Sequence, residues 1–206
     1  MTAATLQTHH PVSLASRPDF YVIGEIVQSG SRVLDLGCGE GELLAWLVSN
    51  KRVMARGVEI SPAQVRRAIS RGVSAYQGDI DEGLADFPDK AFDYVILSQT
   101  LQETRAPLKV VGEMLRVGRR AIVSFPNFGH WRMRLAMLLT GRAPKTDLFP
   151  YDWYNSPNIH FLSINDFEEF CRANRLPIEK RYILAGSSRI TLFPNLRGET
   201  AVFLLG

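Results

Sequence analysis

Three carboxylates and a run of glycines hold the chemical potential of this sequence. Asp35-Leu36-Gly37-Cys38-Gly39-Glu40-Gly41 directly follows a stretch with buried-strand character and directly precedes a helical pattern. The glycines let the backbone turn sharply and approach a ligand closely. The helix start behind them is expected to present free N–H groups to a polar group. A dinucleotide fingerprint would read Gly-x-Gly-x-x-Gly, but here the third glycine comes one place early and Glu42 stands where it belongs. No Lys-Ser/Thr pair follows for a nucleoside triphosphate. Asp35, at the strand end, puts a negative charge where a pyrophosphate would be repelled and an ammonium welcomed. Glu59 closes the next strand pattern, one strand–helix–strand step on, where a carboxylate accepts from both hydroxyls of a ribose. Asp79, after Gly78, closes the third. It is placed to accept from an adenine amino group, with Ile80 against the ring.

One such acid would be incidental to a strand-to-helix turn. Three at successive strand ends fall on the carboxyl edge of a parallel sheet, where open α/β sheets bind ligands. An adenosine that carries a cationic ammonium and sulfonium is S-adenosylmethionine. The expected site for it, or for its demethylated product S-adenosylhomocysteine, comprises Asp35, Gly37, Cys38, Gly39, Gly41, Glu59, Ile60, Asp79, Ile80, Ser98 and Gln99. Cys38 reads as a small residue and not a reactive one, since nothing basic flanks it.

Alternating strands and helices must position these groups. Strand patterns occupy residues 32–36, 53–60, 73–77, 92–97 and 120–125, and two more fall at 178–184 and 200–205. Helical spacing covers residues 20–27 with Asp19 as a cap, and recurs at Leu43, Leu44, Trp46 and Leu47. A third helix follows Ser61 as cap and Pro62 in its first turn, and stops at Gly72. Others lie at 107–115, 131–139 and from Ser163 to about 174. Right-handed crossovers then give a three-layer α/β sandwich around a mostly parallel seven-stranded sheet. Residues 1–17 read as a flexible polar leader and 18–206 as one domain. A long connection over about 126–160, rich in Pro, Gly, Asn and aromatics, is expected to form a cap-like insertion after strand 5.

The chain has 206 residues, 22% of them charged, with net charge +3 and two cysteines. That describes one ordinary globular domain in a reducing, cytoplasmic compartment. The histidines and cysteines lack zinc spacing, so no metal is expected. No apolar run approaches a membrane span, and no export signal is apparent. Arg116, Arg119, Arg120, Arg132, Arg134 and Arg142 read mainly as a solvated face, so nucleic acid is not the expected partner.

From residue 30 to 125 the sequence resembles the class I, Rossmann-like S-adenosylmethionine-dependent methyltransferases. The resemblance rests on Val-Leu-Asp-Leu-Gly-Cys-Gly-Glu-Gly (33–41), Glu59, Gly78-Asp79-Ile80 and Phe-Asp-Tyr-Val-Ile-Leu (92–97). A closer resemblance, over nearly everything from Pro18 onward, is to the methionine biosynthesis protein MetW family. It is carried by residues 81–88 and 95–102 and above all by Arg-Val-Gly-Arg-Arg-Ala-Ile-Val-Ser-Phe-Pro-Asn-Phe-Gly-His-Trp (116–131), then by residues 150–160 and 192–199. The departures are the polar leader and Glu103, where a smaller residue is expected. The resemblance implies binding and activation of the homoserine O-acyltransferase of methionine synthesis, either homoserine O-acetyltransferase or homoserine O-succinyltransferase. The alternative is a methyltransferase acting on a small molecule or protein. Its acceptor would lie near residues 98–102, which supply Ser, Gln and Thr but no base. Candidate catalytic residues are Gln99 and, in the insertion, His130, Tyr151, Tyr154 and His160. For the two histidines a structural hydrogen-bonding role is the plainer reading. The insertion's aromatic cluster suits either a cap over the cleft or a partner interface.

Overall fold

The apolar runs become strands covered on both faces, as a central parallel sheet requires. The computed structural model describes residues 17–146 and 149–206, so the expected leader falls, up to residue 16, outside the described residues. In chain order the elements are α1 (Pro18–Ile26), β1 (Arg32–Leu36), α2 (Glu42–Lys51), β2 (Met54–Glu59), α3 (Pro62–Ser70), β3 (Ser74–Gln77), β4 (Phe92–Ser98), α4 (Pro107–Val117), β5 (Gly118–Pro126), α5 (Trp131–Thr140), α6 (Ile164–Ala173), β6 (Ile178–Ala185), β7 (Ser188–Arg189), α7 (Pro194–Arg197) and β8 (Thr200–Leu205).

The sheet runs β3-β2-β1-β4-β5-β8-β6-β7. The first five strands are mutually parallel, while β8, β6 and β7 are each antiparallel to their neighbours. Among the described residues the sheet has eight strands and not the seven expected. The addition is the two-residue β7, which pairs only Arg189 and Ser188 with the end of β6 and is too short to leave a period-2 pattern. Helices α1, α2 and α3 cover one face through Phe20, Ile23, Leu44, Leu47 and Ala68. Helices α4 and α6 cover the other through Val111, Met114, Ile164 and Phe167. No described helix is long and apolar enough to cross a membrane.

Two expected caps act differently. Asp19 does not cap α1: Arg17 occupies the N-cap position, and the Asp19 carboxylate turns inward to a polar cluster. Ser61 stands at the N-cap of α3, but its hydroxyl makes no capping bond. Ser163 does cap α6, in a reciprocal box with Asp166.

The insertion is tied down at a few points. Buried Asn127 donates to the carbonyls of Asn195 (3.0 Å) and Gly198 (2.8 Å), and its Oδ1 accepts from the N–H groups of Gly129 and Ile164. Phe128 packs against Phe149 and Phe161, with ring centroids 5.4 and 4.8 Å away. The N–H groups of Ile159 and His160 both donate to the carbonyl of Gln102, at 2.8 and 3.0 Å.

Candidate functional site

Strand order reverses between β1 and β4, and the crevice at such a switch point is where open α/β sheets bind ligands. A cleft of about 410 Å³ opens there. The loop after β1 contributes Gly37 and Gly39, and the end of β2 with the start of α3 contributes Glu59, Ile60, Ser61 and Gln64. The turn after β3 adds Gly78 to Asp81, and the turn after β4 adds Thr100, Glu103 and Thr104. Among the described residues, four carboxylates and no Lys, Arg or His line it.

The glycine loop is shaped by backbone demands. Gly37, Gly39 and Gly41 all hold positive φ, at +69°, +56° and +74°. A Cβ on Gly37 would fall 2.8 Å from the Thr100 side chain, so only glycine lets the β1 and β4 loops meet. The N–H groups of the loop itself, ahead of the helix start, have partners within the fold. Gly37 and Cys38 both donate to the Val58 carbonyl, Gly39 donates to Glu59 Oε2 (3.0 Å), and Gly41 donates to the Cys38 carbonyl. Three of those bonds tie the loop to β2 and one closes it on itself, and the carboxylates of Glu40 and Glu42 stand at the start of α2.

Glu59 is buried and central. Its Oε2 accepts from Gly39 and its Oε1 from the Ser61 N–H at 2.9 Å. A carboxylate has about four lone-pair sites, so each oxygen keeps capacity for a ligand hydroxyl. Asp79 accepts from the Asp81 N–H (2.9 Å) and from Arg105 (2.5 Å), so its carboxylate already has partners at the outer edge. Asp81 accepts from the N–H groups of Arg105 and Ala106 and thereby fixes the start of α4.

Asp35 is the unusual group. It is buried on β1 just ahead of the glycine loop and does not itself line the cleft, and among the described residues its Oδ1 has no hydrogen-bond partner. Burial pushes its pKa up to about 8; the Arg17 charge opposes the rise, while Asp19 and Glu59 add to it. A buried carboxyl without a partner calls for a cationic donor. Nearby, Asp19 accepts from Arg17, from Ser98 Oγ (2.7 Å) and from Ser124 Oγ (3.0 Å). Burial alone would raise the pKa of Asp19, but these bonds and the Arg17 charge lower it. Replacing Asp19 with alanine would strand Arg17 and two hydroxyls. A loss of about 3 kcal/mol is expected in chemical denaturation, with the asparagine variant recovering part of it.

Of the residues expected to bind the cofactor, Gly37, Gly39, Glu59, Ile60, Asp79 and Ile80 line the cleft. Gly41 instead lets α2 approach α3: a Cβ there would lie 3.0 Å from Ala68. Cys38 packs against Gly57, and burial pushes its thiol up to about 12, in keeping with a small inert residue. Ser98 belongs to the Asp19 cluster. Gln99, in a left-handed backbone, donates its N–H to Ser124. None of the five candidate catalytic side chains, Gln99, His130, Tyr151, Tyr154 and His160, lines the cleft. His130 is buried, its Nδ1 accepts from the Arg132 N–H at the start of α5, and burial lowers its pKa. Tyr151 is exposed, and His160 lines a separate, mainly apolar cavity with Leu101, Phe161 and Phe167.

Sequence reading missed Ser61, Gln64, Asp81, Glu103 and Thr104 as cleft residues, and the ion pair of half-buried Arg17 with buried Asp19. Ser61 and Gln64 were within reach of the same logic, since they open the helix after Glu59. Nothing in the sequence signals that a 3-10 turn, Leu101–Glu103, swings Glu103 into the cleft, where burial and Glu59 raise its pKa.

The sequence profile of the family described as methionine biosynthesis protein MetW matches residues 17–205. The chain belongs to the MetW family. A bifunctional methionine biosynthesis protein MetXA/MetW of Rhodopirellula baltica is 37% identical over 205 residues, covering 93% of this chain. The MetW-family chain spans only about a third of that protein's length. Among solved structures, an S-adenosylmethionine-dependent methyltransferase from Mesorhizobium loti superposes with a TM-score of 0.68 at 16% identity, over 95% of this chain and 99% of its own. The [4+2]-cyclase SpnF superposes with a TM-score of 0.66 at 17% identity, over 97% of this chain and 83% of its own. At these identities the likeness is one of fold, and the fold is that of class I methyltransferases.

Proposed function

We propose that this MetW-family chain binds S-adenosylmethionine or S-adenosylhomocysteine at the β1/β4 cleft, and that it binds and activates homoserine O-acyltransferase as a cytoplasmic partner protein. The ligand part rests on the unpartnered Asp35 carboxyl beside a cleft whose ionisable lining is entirely acidic. In that reading Asp35 faces the ammonium and Glu59 holds the ribose. Asp79 and Ile80 border the adenine, and the glycines give the cofactor room against Thr100. When bound, the cofactor supplies either a transferable methyl group or a signal of methionine supply. The partner part rests on the R. baltica protein, whose name joins MetXA and MetW in one polypeptide. The MetXA portion is taken as the acyltransferase that the family resemblance points to.

The alternative, methyl transfer to a small molecule or protein, gains from the apolar cavity of about 460 Å³ that shares Leu101 with the turn after β4. None of the histidines and tyrosines that could serve as its base lines the cleft, and of them His160 lines that apolar cavity. The deciding assay measures purified homoserine O-acyltransferase with and without an equimolar amount of this chain, each with and without S-adenosylmethionine. A large rise in rate on adding the chain is expected, and cofactor dependence of that rise would mark the cleft as a sensor. An acyltransferase indifferent to the chain would shift the function to methyl transfer.

A further inference from the structure

Helix α5 spreads apolar side chains round most of its circumference, interrupted by Arg132 and Arg134, yet buries Met133 alone. Apolar side chains in that number are usually covered, but here Leu138 is 81% exposed and Leu135, Met137 and Leu139 are also exposed. Its apolar surface continues onto two neighbouring segments. Thr146 Oγ1 donates to Met133 Sδ at 3.4 Å and Lys145 pairs with Asp152 at 3.0 Å, which draws the following loop towards α5. That loop presents Trp153, 78% exposed, packed edge-to-face on an exposed Tyr154. From the other side come Leu192 and Phe193, both exposed, the latter in a left-handed backbone at φ +51°. They are brought there by Asn195, whose carbonyl accepts from Asn127 at the corner from which α5 springs. Scattered apolar side chains are ordinary, but this many exposed aromatic and aliphatic side chains on segments tied to one corner of the fold mark an interaction site. The border is cationic. Helix α5 has no acidic residue, and Arg132, Arg134 and Arg142 are all exposed.

We propose that this face, α5 with Trp153, Tyr154 and the Leu192–Phe193 loop, is the docking surface for homoserine O-acyltransferase. It would meet an apolar patch edged with carboxylates. The inference rests on the function proposed above. It commits to that occupant because the R. baltica match, at 93% of this chain, extends into the insertion and lies in one polypeptide with MetXA. The insertion is also wired to the cleft. Gln102 holds residues 159 and 160 through its carbonyl, while the adjoining Thr100, Glu103 and Thr104 form the cleft wall. A partner seated on the insertion therefore bears on a segment anchored to the ligand site.

The test uses the purified full chain, the acyltransferase encoded in the same genome, and the variants Leu138→Asp and Trp153→Ala. Sedimentation velocity and calorimetry read complex formation, with melting temperature and S-adenosylmethionine affinity as controls for folding. The unaltered chain is expected to form the complex. Each variant should weaken it by about tenfold or more while both controls stay unchanged. Charge reversal at Arg132 and Arg142 should weaken it further at low salt. Variants that bind as well as the unaltered chain would overturn the surface and leave the functional reading standing. An unaltered chain that forms no complex would overturn the functional reading, and this occupant with it. A self-associating chain that the variants render monomeric would assign the face to a second copy and also overturn the proposal.

Discussion

Glu59→Ala is expected to weaken S-adenosylmethionine binding by about 2 kcal/mol, roughly 30-fold, in calorimetric titration. The carboxylate would lose charge-assisted hydrogen bonds to the ribose, and those are the strong class. It would also lose the clasp between Gly39 and Ser61, which are held at 3.0 and 2.9 Å by its two oxygens. Glu59→Gln separates the two effects. The amide retains one acceptor oxygen and nearly the same shape, so the loop is better preserved while the charge is lost. If affinity falls in both variants with the melting temperature little changed in the glutamine one, the ribose sits on this carboxylate. Unchanged affinity in the alanine variant would remove the ribose from it.

Asp35→Asn is expected to move stability and binding in opposite directions. The Asp35 pKa rises from 3.8 to about 8 on folding, chiefly through burial. A group raised in this way leaves stability intact below about pH 4 and subtracts from it as the pH climbs towards 8, because the unfolded chain releases the proton first. The asparagine variant has no proton to release. Without ligand it should therefore be more stable than the parent at pH 8, by roughly a few kcal/mol, and nearly equal at pH 4. It should also bind S-adenosylmethionine at least tenfold more weakly, having lost the charge that meets the ammonium. Denaturation curves at pH 5 and 8 with calorimetry at pH 7 measure both. A variant with unchanged affinity would place the ammonium elsewhere, and one with an unchanged pH slope would show that Asp35 is ionised in the free chain. A binding residue that costs stability is a common feature of functional sites.

Much of the architecture was legible before any coordinates. Among the five parallel strands the fourth stood out, because a strand buried on both faces must be nearly all apolar, as residues 92–97 are apart from Asp93. Glycines 37 and 39 and the carboxylates 59 and 79 were legible as cleft-lining residues because they sit at strand ends, a fixed offset from an easily read pattern. Ser163 was legible as a cap because its partner Asp166 is local. Local chemistry also misled: Asp19 looks like a cap from its position, but its true partners, Ser98 and Ser124, are far along the chain.

The sequence by itself thus determined the order of strands and helices, the glycine turn and the acids at the carboxyl edge, since each follows from short-range pattern and residue type. Only the tertiary structure decided which groups those acids face. It consumed the N–H groups of the glycine loop internally and buried Asp35 without a partner. It brought Glu103 and Thr104 into the cleft by one turn of backbone, and it left the apolar α5 on the surface. Each of these depends on contacts between residues distant in sequence, where burial and the satisfaction of polar groups are settled by what folds against them and not by what lies beside them.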